Sequence, residues 1–327
     1  MTQKQESVRK SSAMKTLWRI ARIALAVLPI IWIYTRADTD ALGKAITSAS
    51  MPIVVAILAL AVINIALQGV KWWVLIRRFA PELKLGKAVA VHFEGTFYAI
   101  VLPSVAALDV VKSAMLSRSH DPSVVWAATW LSRLLGFFSL MVFSAVGCIY
   151  LGGSGVLPAG FGVAFAAIVV AMIVFFALSF SKRLTRPIRV VAAKIISPKI
   201  MGKIERLREG IYAFKYARKT LALTLFISAV ANIIAIFGIS LAVYVVSGKL
   251  YFIECLAFVP LVEIMVVSLP LTPGGVGLRE ALMALLFTQI NFSSEQIALY
   301  ATMSLLMSMT RVAGGVLPAY RMIARRK

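Results

Sequence analysis

The chain has 327 residues, of which 61% are hydrophobic and 15% charged, and its mean hydropathy is +0.90. That balance excludes a soluble enzyme and points to a helical membrane protein. The formal net charge of +22 would suggest nucleic acid in a soluble chain. Here the bases sit at the ends of apolar runs, where they set topology and attract anionic headgroups, so no nucleic-acid partner is expected.

Met1–Lys15 is polar and basic, and the first apolar run lacks a small-residue cleavage pattern, as in an uncleaved signal anchor. Six runs are long enough to cross: about 17–35, 52–76, 124–151, 157–180, 220–246 and 296–320. Two further segments, about 88–116 and 253–290, are apolar but broken by proline and charge. The expected fold is an all-α integral membrane protein, a polytopic helical bundle of about six full spans plus two re-entrant hairpins. The whole of 1–327 reads as one transmembrane domain with no room for an appended soluble enzyme. Within it, 182–219 forms a basic elbow whose charges alternate with Ile, Val, Leu and Tyr, the pattern of an amphipathic segment on the inner leaflet. Enforcing topology explains the same charges.

Lysine and arginine counts orient this layout. The N-terminal segment holds Lys4, Arg9, Lys10, Lys15, Arg19 and Arg22; the connection after the second run holds Arg77, Arg78, Lys84 and Lys87. Connection 181–219 holds twelve, and the C-terminus holds Arg321, Arg325, Arg326 and Lys327. The intervening connections have few: Arg36 and Lys44 beside two aspartates, Lys249 alone, and none in 152–156 or 291–295. Both termini and every basic connection then fall in the cytoplasm, provided that each broken segment enters and leaves on one side. The expected location is the cytoplasmic membrane.

The second broken segment has the sharpest interruption. Its apolar run stops at Pro270 and turns through Thr272-Pro273-Gly274-Gly275-Val276-Gly277 before presenting Arg279-Glu280. Such a turn frees backbone groups that hydrocarbon tolerates only beside protein or a water-filled cavity. Pro103 precedes Asp109 by six residues, as Pro273 precedes Arg279, a spacing that hints at an inverted repeat around a midplane site.

Intramembrane charges cost roughly 2.5–3.5 kcal/mol on insertion scales and face a cavity or a partner. The candidates are Lys71, Glu94, Asp109, Lys112, Arg133, Glu254, Glu263, Arg279, Glu280 and Arg311. Lys71 and Lys112 are expected near interfaces, where they would snorkel. Asn64, Gln68 and Lys71 share one helix face, and Asn232 offers a similar group; interhelical hydrogen bonding explains these as readily as a substrate path. No Walker sequence, GxSxG elbow, HExxH or paired CxxC occurs, and Cys148 and Cys255 lie in apolar runs, so neither cofactor nor metal is expected. His92 and His120 are the only histidines, and His92 reads as a hydrogen-bonded residue near an interface.

Laid out in this way, the chain resembles the transmembrane, flippase-like region of the lysylphosphatidylglycerol synthase family, from Lys71-Trp72-Trp73-Val74-Leu75 through the last span. Pro273-Gly274-Gly275-Val276-Gly277-Leu278-Arg279-Glu280 matches the family's Pro-Gly-Gly-x-Gly-x-x-Glu pattern intact. Leu102-Pro103-Ser104 through Asp109 is similar to its Leu-Pro-Ser-x-x-Gly-Gly-Asp, and Arg133-Leu134-Leu135-Gly136 to its Arg-Leu-Leu-Gly. Ala107 and Leu108 stand in the Gly-Gly positions and Lys112 where arginine is common, and lysine lacks the bidentate fork that suits phosphate. The synthase domain that transfers aminoacyl groups is missing.

The resemblance implies a lipid translocase that moves an amphipathic lipid or lipid-linked glycan between leaflets, and no catalytic residue. Arg133, Arg279 and Arg311, with Lys112, would attract an anionic headgroup. Asp109, Glu263 and Glu280 would pair with the arginines when the site is empty, or hold an aminoacyl or sugar group. Pro273, Gly274, Gly275 and Gly277 would form the tip of the second hairpin. The alternative is a non-transporting scaffold that presents lipid to a lipid-biosynthetic enzyme. The sequence sets no oligomeric state.

Overall fold

Water is absent from the hydrocarbon core, so an apolar run of membrane length satisfies its backbone by coiling into a helix. A computed structural model describes residues 26–37, 50–102, 106–152, 198–269 and 271–316, with isolated positions elsewhere. All regular structure among them is helical. In chain order the helices are α1 (Met51–Arg77), α2 (Leu85–Val101), α3 (Ala107–Leu116), α4 (Pro122–Gly152), α5 (Pro198–Ala213), α6 (Arg218–Ser247), α7 (Phe252–Ser268), α8 (Leu278–Thr288) and α9 (Ser294–Met309). A 3-10 stretch, Thr310–Gly315, continues α9.

Four of these are long and apolar enough to cross a membrane: α1, α4, α6 and the extended α9. They fall on four of the six expected runs. Of the other two, 17–35 is described from residue 26 onward and is helical there, whereas 157–180 lies mostly outside the described residues, as does 182–197 of the elbow. The described part of the elbow is docked onto protein: α5 packs on α4, and its Ile211, with Phe214 just beyond, is buried among Trp72, Leu75 and Leu131.

Each broken segment is a helix–break–helix unit whose two helices pack together, α2 on α3 and α7 on α8. The units occupy matching places. α1 packs on α2, α3 on α4, and α4 crosses to α7; likewise α6 packs on α7, α8 on α9, and the end of the last span crosses to α2. The longest seam joins α1 to α6.

Glycine makes both crossings possible. A Cβ at Gly147 on α4 would press into the Leu256–Ala257 backbone of α7, and one at Gly314 would overlap the carbonyl of Phe93 on α2. Beside the first crossing, Pro260 sits inside α7 and removes the donor that Leu256 O would otherwise receive. Ser144 of α4 ties down the loosened turn by donating to Ala257 O at 2.8 Å.

Candidate functional site

The two broken segments and the long helices between them enclose a cavity of about 310 Å³. α1 contributes Asn64, Gln68 and Lys71, the face anticipated from their spacing. Asn64 donates to Ala231 O of α6 at 2.6 Å, so the same face serves both packing and the cavity. Lys71 and Lys112 do not snorkel to the protein surface: they are 5% and 3% exposed, and both line the cavity. His92 is likewise buried and lines it. Glu94 is buried on the same helix, and Glu254 lies in the first turn of α7; neither is part of this wall.

On the first side, Asp109 sits in the first turn of α3, where a carboxylate suits the helix N-terminus. It accepts from Arg133 Nε of α4 at 2.5 Å and from Lys112 Nζ at 2.8 Å. Lys112 also lies 5.1 Å from the centroid of the Trp72 ring, and Trp72 is held in turn by its Nε1 donating to Thr129 Oγ1 at 2.8 Å. Gly136, one turn beyond Arg133, leaves room for Lys71: a Cβ there would stand 3.2 Å from Lys71 Nζ. Its carbonyl accepts from Asn232 Nδ2 at 3.1 Å, which also donates to Ser139 Oγ at 2.5 Å. Leu108, in the position where Gly is usual in the resembled family, is accommodated by Gly95, which has no Cβ to meet its Cδ1.

Asn232→Ala would remove both bonds from the amide but leave the one that Ser139 Oγ donates to Gly136 O at 3.0 Å. The expected cost is about 0.5–1.5 kcal/mol, read as a lowered unfolding midpoint in detergent. An unchanged midpoint would mean that water takes the place of the amide.

On the second side, the turn after α7 runs through Pro273–Gly275, with Gly274, Gly275 and Gly277 at φ of +59°, +78° and +80°. Gly277 also admits the carbonyl of Ala26 where a Cβ would collide. Arg279 forms a two-pronged pair with Glu263 of α7, Nε to Oε1 at 2.6 Å and Nη2 to Oε2 at 3.3 Å. Among the described residues, Glu280 forms no ion pair with an arginine. It is fully buried, accepting from Gly277 N–H at 2.7 Å and from Ser304 Oγ at 2.5 Å. Arg311 reaches back from the last span to the turn, donating to Gly274 O at 2.9 Å.

The expected acid–arginine pairing therefore holds for Asp109 and Glu263, while Glu280 is a cap and Arg311 a brace on the turn. Asp109 and Glu280 hold like positions: each is the third residue of its helix, and each is held by a side chain 24 residues further on, Arg133 and Ser304.

The model of the Lysylphosphatidylglycerol synthase TM region family matches residues 19–312. The chain belongs to this family. Membership makes it a membrane protein related to lipid modification or transport. No curated protein and no solved structure matches it. The family match takes in both broken segments and every charged residue of the cavity wall. Lys71, His92 and Gly136 join that wall without having been singled out as binding residues. Their signal was present in Lys71 sharing a face with Asn64 and Gln68, and in Gly136 closing the Arg-Leu-Leu-Gly motif.

Proposed function

We propose that the chain is a lipid translocase of the cytoplasmic membrane, moving an anionic or lipid-linked headgroup between leaflets without chemical change. The observation that carries this reading is a cavity lined by charged side chains from both broken segments, set among helices of membrane-spanning length. Charges are maintained at such depth where they meet a polar ligand or one another. In this reading the two units are re-entrant hairpins related as an inverted repeat, within about six full spans. Both termini lie in the cytoplasm, and the hairpin tips meet near the midplane. Arg279 and Arg133 exchange their carboxylate partners for the headgroup as it enters, and Arg311 holds the second tip in shape. Apolar side chains such as Phe137, Leu140 and Ile239 line the same cavity and suit the part of the lipid next to its head.

The test is leaflet exchange in proteoliposomes with head-labelled anionic phospholipid and a membrane-impermeant quencher. Arg279→Ala removes the fork from Glu263 and from the headgroup together, and exchange is expected to fall by about tenfold or more, the loss of one charge-assisted contact of ~1.5–3 kcal/mol. Unchanged exchange would remove Arg279 from the mechanism. No exchange of any lipid by the native protein, with a lipid-biosynthetic enzyme co-purifying, would favour a scaffold.

A further inference from the structure

The cavity wall is electrically lopsided. Lys71, Lys112, Arg133, Arg279 and Arg311 line it, against the carboxylates of Asp109 and Glu263. The second side balances, with two carboxylates, Glu263 and Glu280, set against two cations, Arg279 and Arg311. The first side does not. Lys71, Lys112 and Arg133 converge there from α1, α3 and α4, and one carboxylate, Asp109, bonds two of them.

Lys71 is the cation left over. It is 5% exposed, lies close enough to Lys112, Asp109 and Arg133 to interact electrostatically with all three, and makes no hydrogen bond or ion pair among the described residues. His92, from α2, is 4% exposed, and its Nδ1 has no hydrogen-bond partner. Glu94, two residues on, projects from the opposite side of α2 by helix geometry and does not line the cavity. Buried polar groups with no partner are rare, and buried charges with none are rarer. Four helices thus present donors to one side of the cavity, with more positive charge than the protein itself neutralises.

We propose that Lys71, His92, Lys112 and Arg133 form a phosphoryl subsite selective for a group bearing two negative charges, a phosphomonoester or a diphosphate, over a singly charged phosphodiester. This rests on the translocase reading for a lipid as the source of that group. The charge count separates the two classes. A phosphodiester neutralises one excess cation, whereas a phosphomonoester carries up to two charges and three acceptor oxygens, enough for Lys71 and His92 as well as the Asp109 pair. A head bearing an added amino group would be repelled from this end of the cavity.

The experiment uses the full chain in phosphatidylcholine nanodiscs, with binding read by native mass spectrometry and by thermal unfolding. Three probes are compared: phosphatidic acid, phosphatidylglycerol and soluble pyrophosphate. Phosphatidic acid is expected to bind about tenfold tighter than phosphatidylglycerol, the effect of one further charge-assisted contact. Lys71→Met should weaken phosphatidic acid binding about tenfold more than phosphatidylglycerol binding, so that the preference is lost, and Lys71→Arg should retain it. The empty Lys71→Met protein should unfold no earlier than the native one, because it loses a buried charge that has no partner. Equal binding of the two lipids, or a preference untouched by Lys71→Met, would overturn the subsite. Pyrophosphate binding that matches phosphatidic acid and vanishes in Lys71→Met would support the subsite and assign it to a soluble anion. A preference for phosphatidic acid without exchange of any lipid would support the subsite and refute translocation. Exchange without preference would do the reverse.

Discussion

Asp109→Ala is expected to destabilise the protein by about 1.5–3 kcal/mol, the cost of losing charge-assisted hydrogen bonds in a half-buried ion cluster. The carboxylate touches Arg133 at 2.5 Å and Lys112 at 2.8 Å, and Lys71 lies nearby. Without it, two buried lysines and the half-buried Arg133 face one another with no counter-charge on their side of the cavity. Asp109→Asn keeps the shape and loses the charge, so it should cost nearly as much; that equality would separate electrostatics from packing. The measurement is the unfolding midpoint in detergent, repeated with added phosphatidic acid, which should restore part of the loss by supplying the missing charge. A variant as stable as the native chain, with or without lipid, would mean that water in the cavity already screens these cations.

The second large effect is steric. Gly314→Val places a branched side chain where the Phe93 carbonyl of α2 lies, and the neighbouring Gly315 already abuts the Phe97 ring. The obstruction is backbone, which cannot rotate away, so the last span must separate from α2. A loss of about 3 kcal/mol or more is expected, at or above the upper end for overpacked cores. Gly202→Ala on α5 is the control, since nothing lies within 4 Å of its added carbon. It should leave stability unchanged or raise it by up to about 1 kcal/mol through better helix propensity. Equal effects at the two positions would show that the contact between the last span and α2 is not tight in solution.

Much of this arrangement could be read from residue order. Run length located α1, α4, α6 and α9, because a span needs about twenty apolar residues whatever its neighbours are. Proline and glycine located both breaks for an equally local reason. Residue order could not decide depth. Lys71 and Lys112 stand near the ends of apolar stretches, and a lysine there reaches an interface or a cavity according to what packs beside it. Trp72, Gly136 and Asp109 decide the matter, and two of these lie on other helices. Partner choice was hidden in the same way. Glu280 follows Arg279 and looked like its counter-ion, yet adjacent residues on a helix point apart. Arg279 turns to α7, and Glu280 caps its own helix and meets Ser304.

The glycine contacts at Gly147 and Gly314 have a mechanical meaning. Each fastens the closing span of one half to the broken segment of the other half, so the halves are clasped like hooked fingers. Drawing them apart as two rigid lobes would have to undo both clasps and the long α1–α6 seam at once. That chassis is stiff. α3 and α8, short helices that carry Asp109 and Arg279, add to this frame the ion pairs to Arg133 and Glu263. An ion pair can trade its anion for another without disturbing close-packed backbone. In the proposed translocase, access to the interior falls to these two ion pairs, each of which an arriving anion releases by taking the place of its carboxylate.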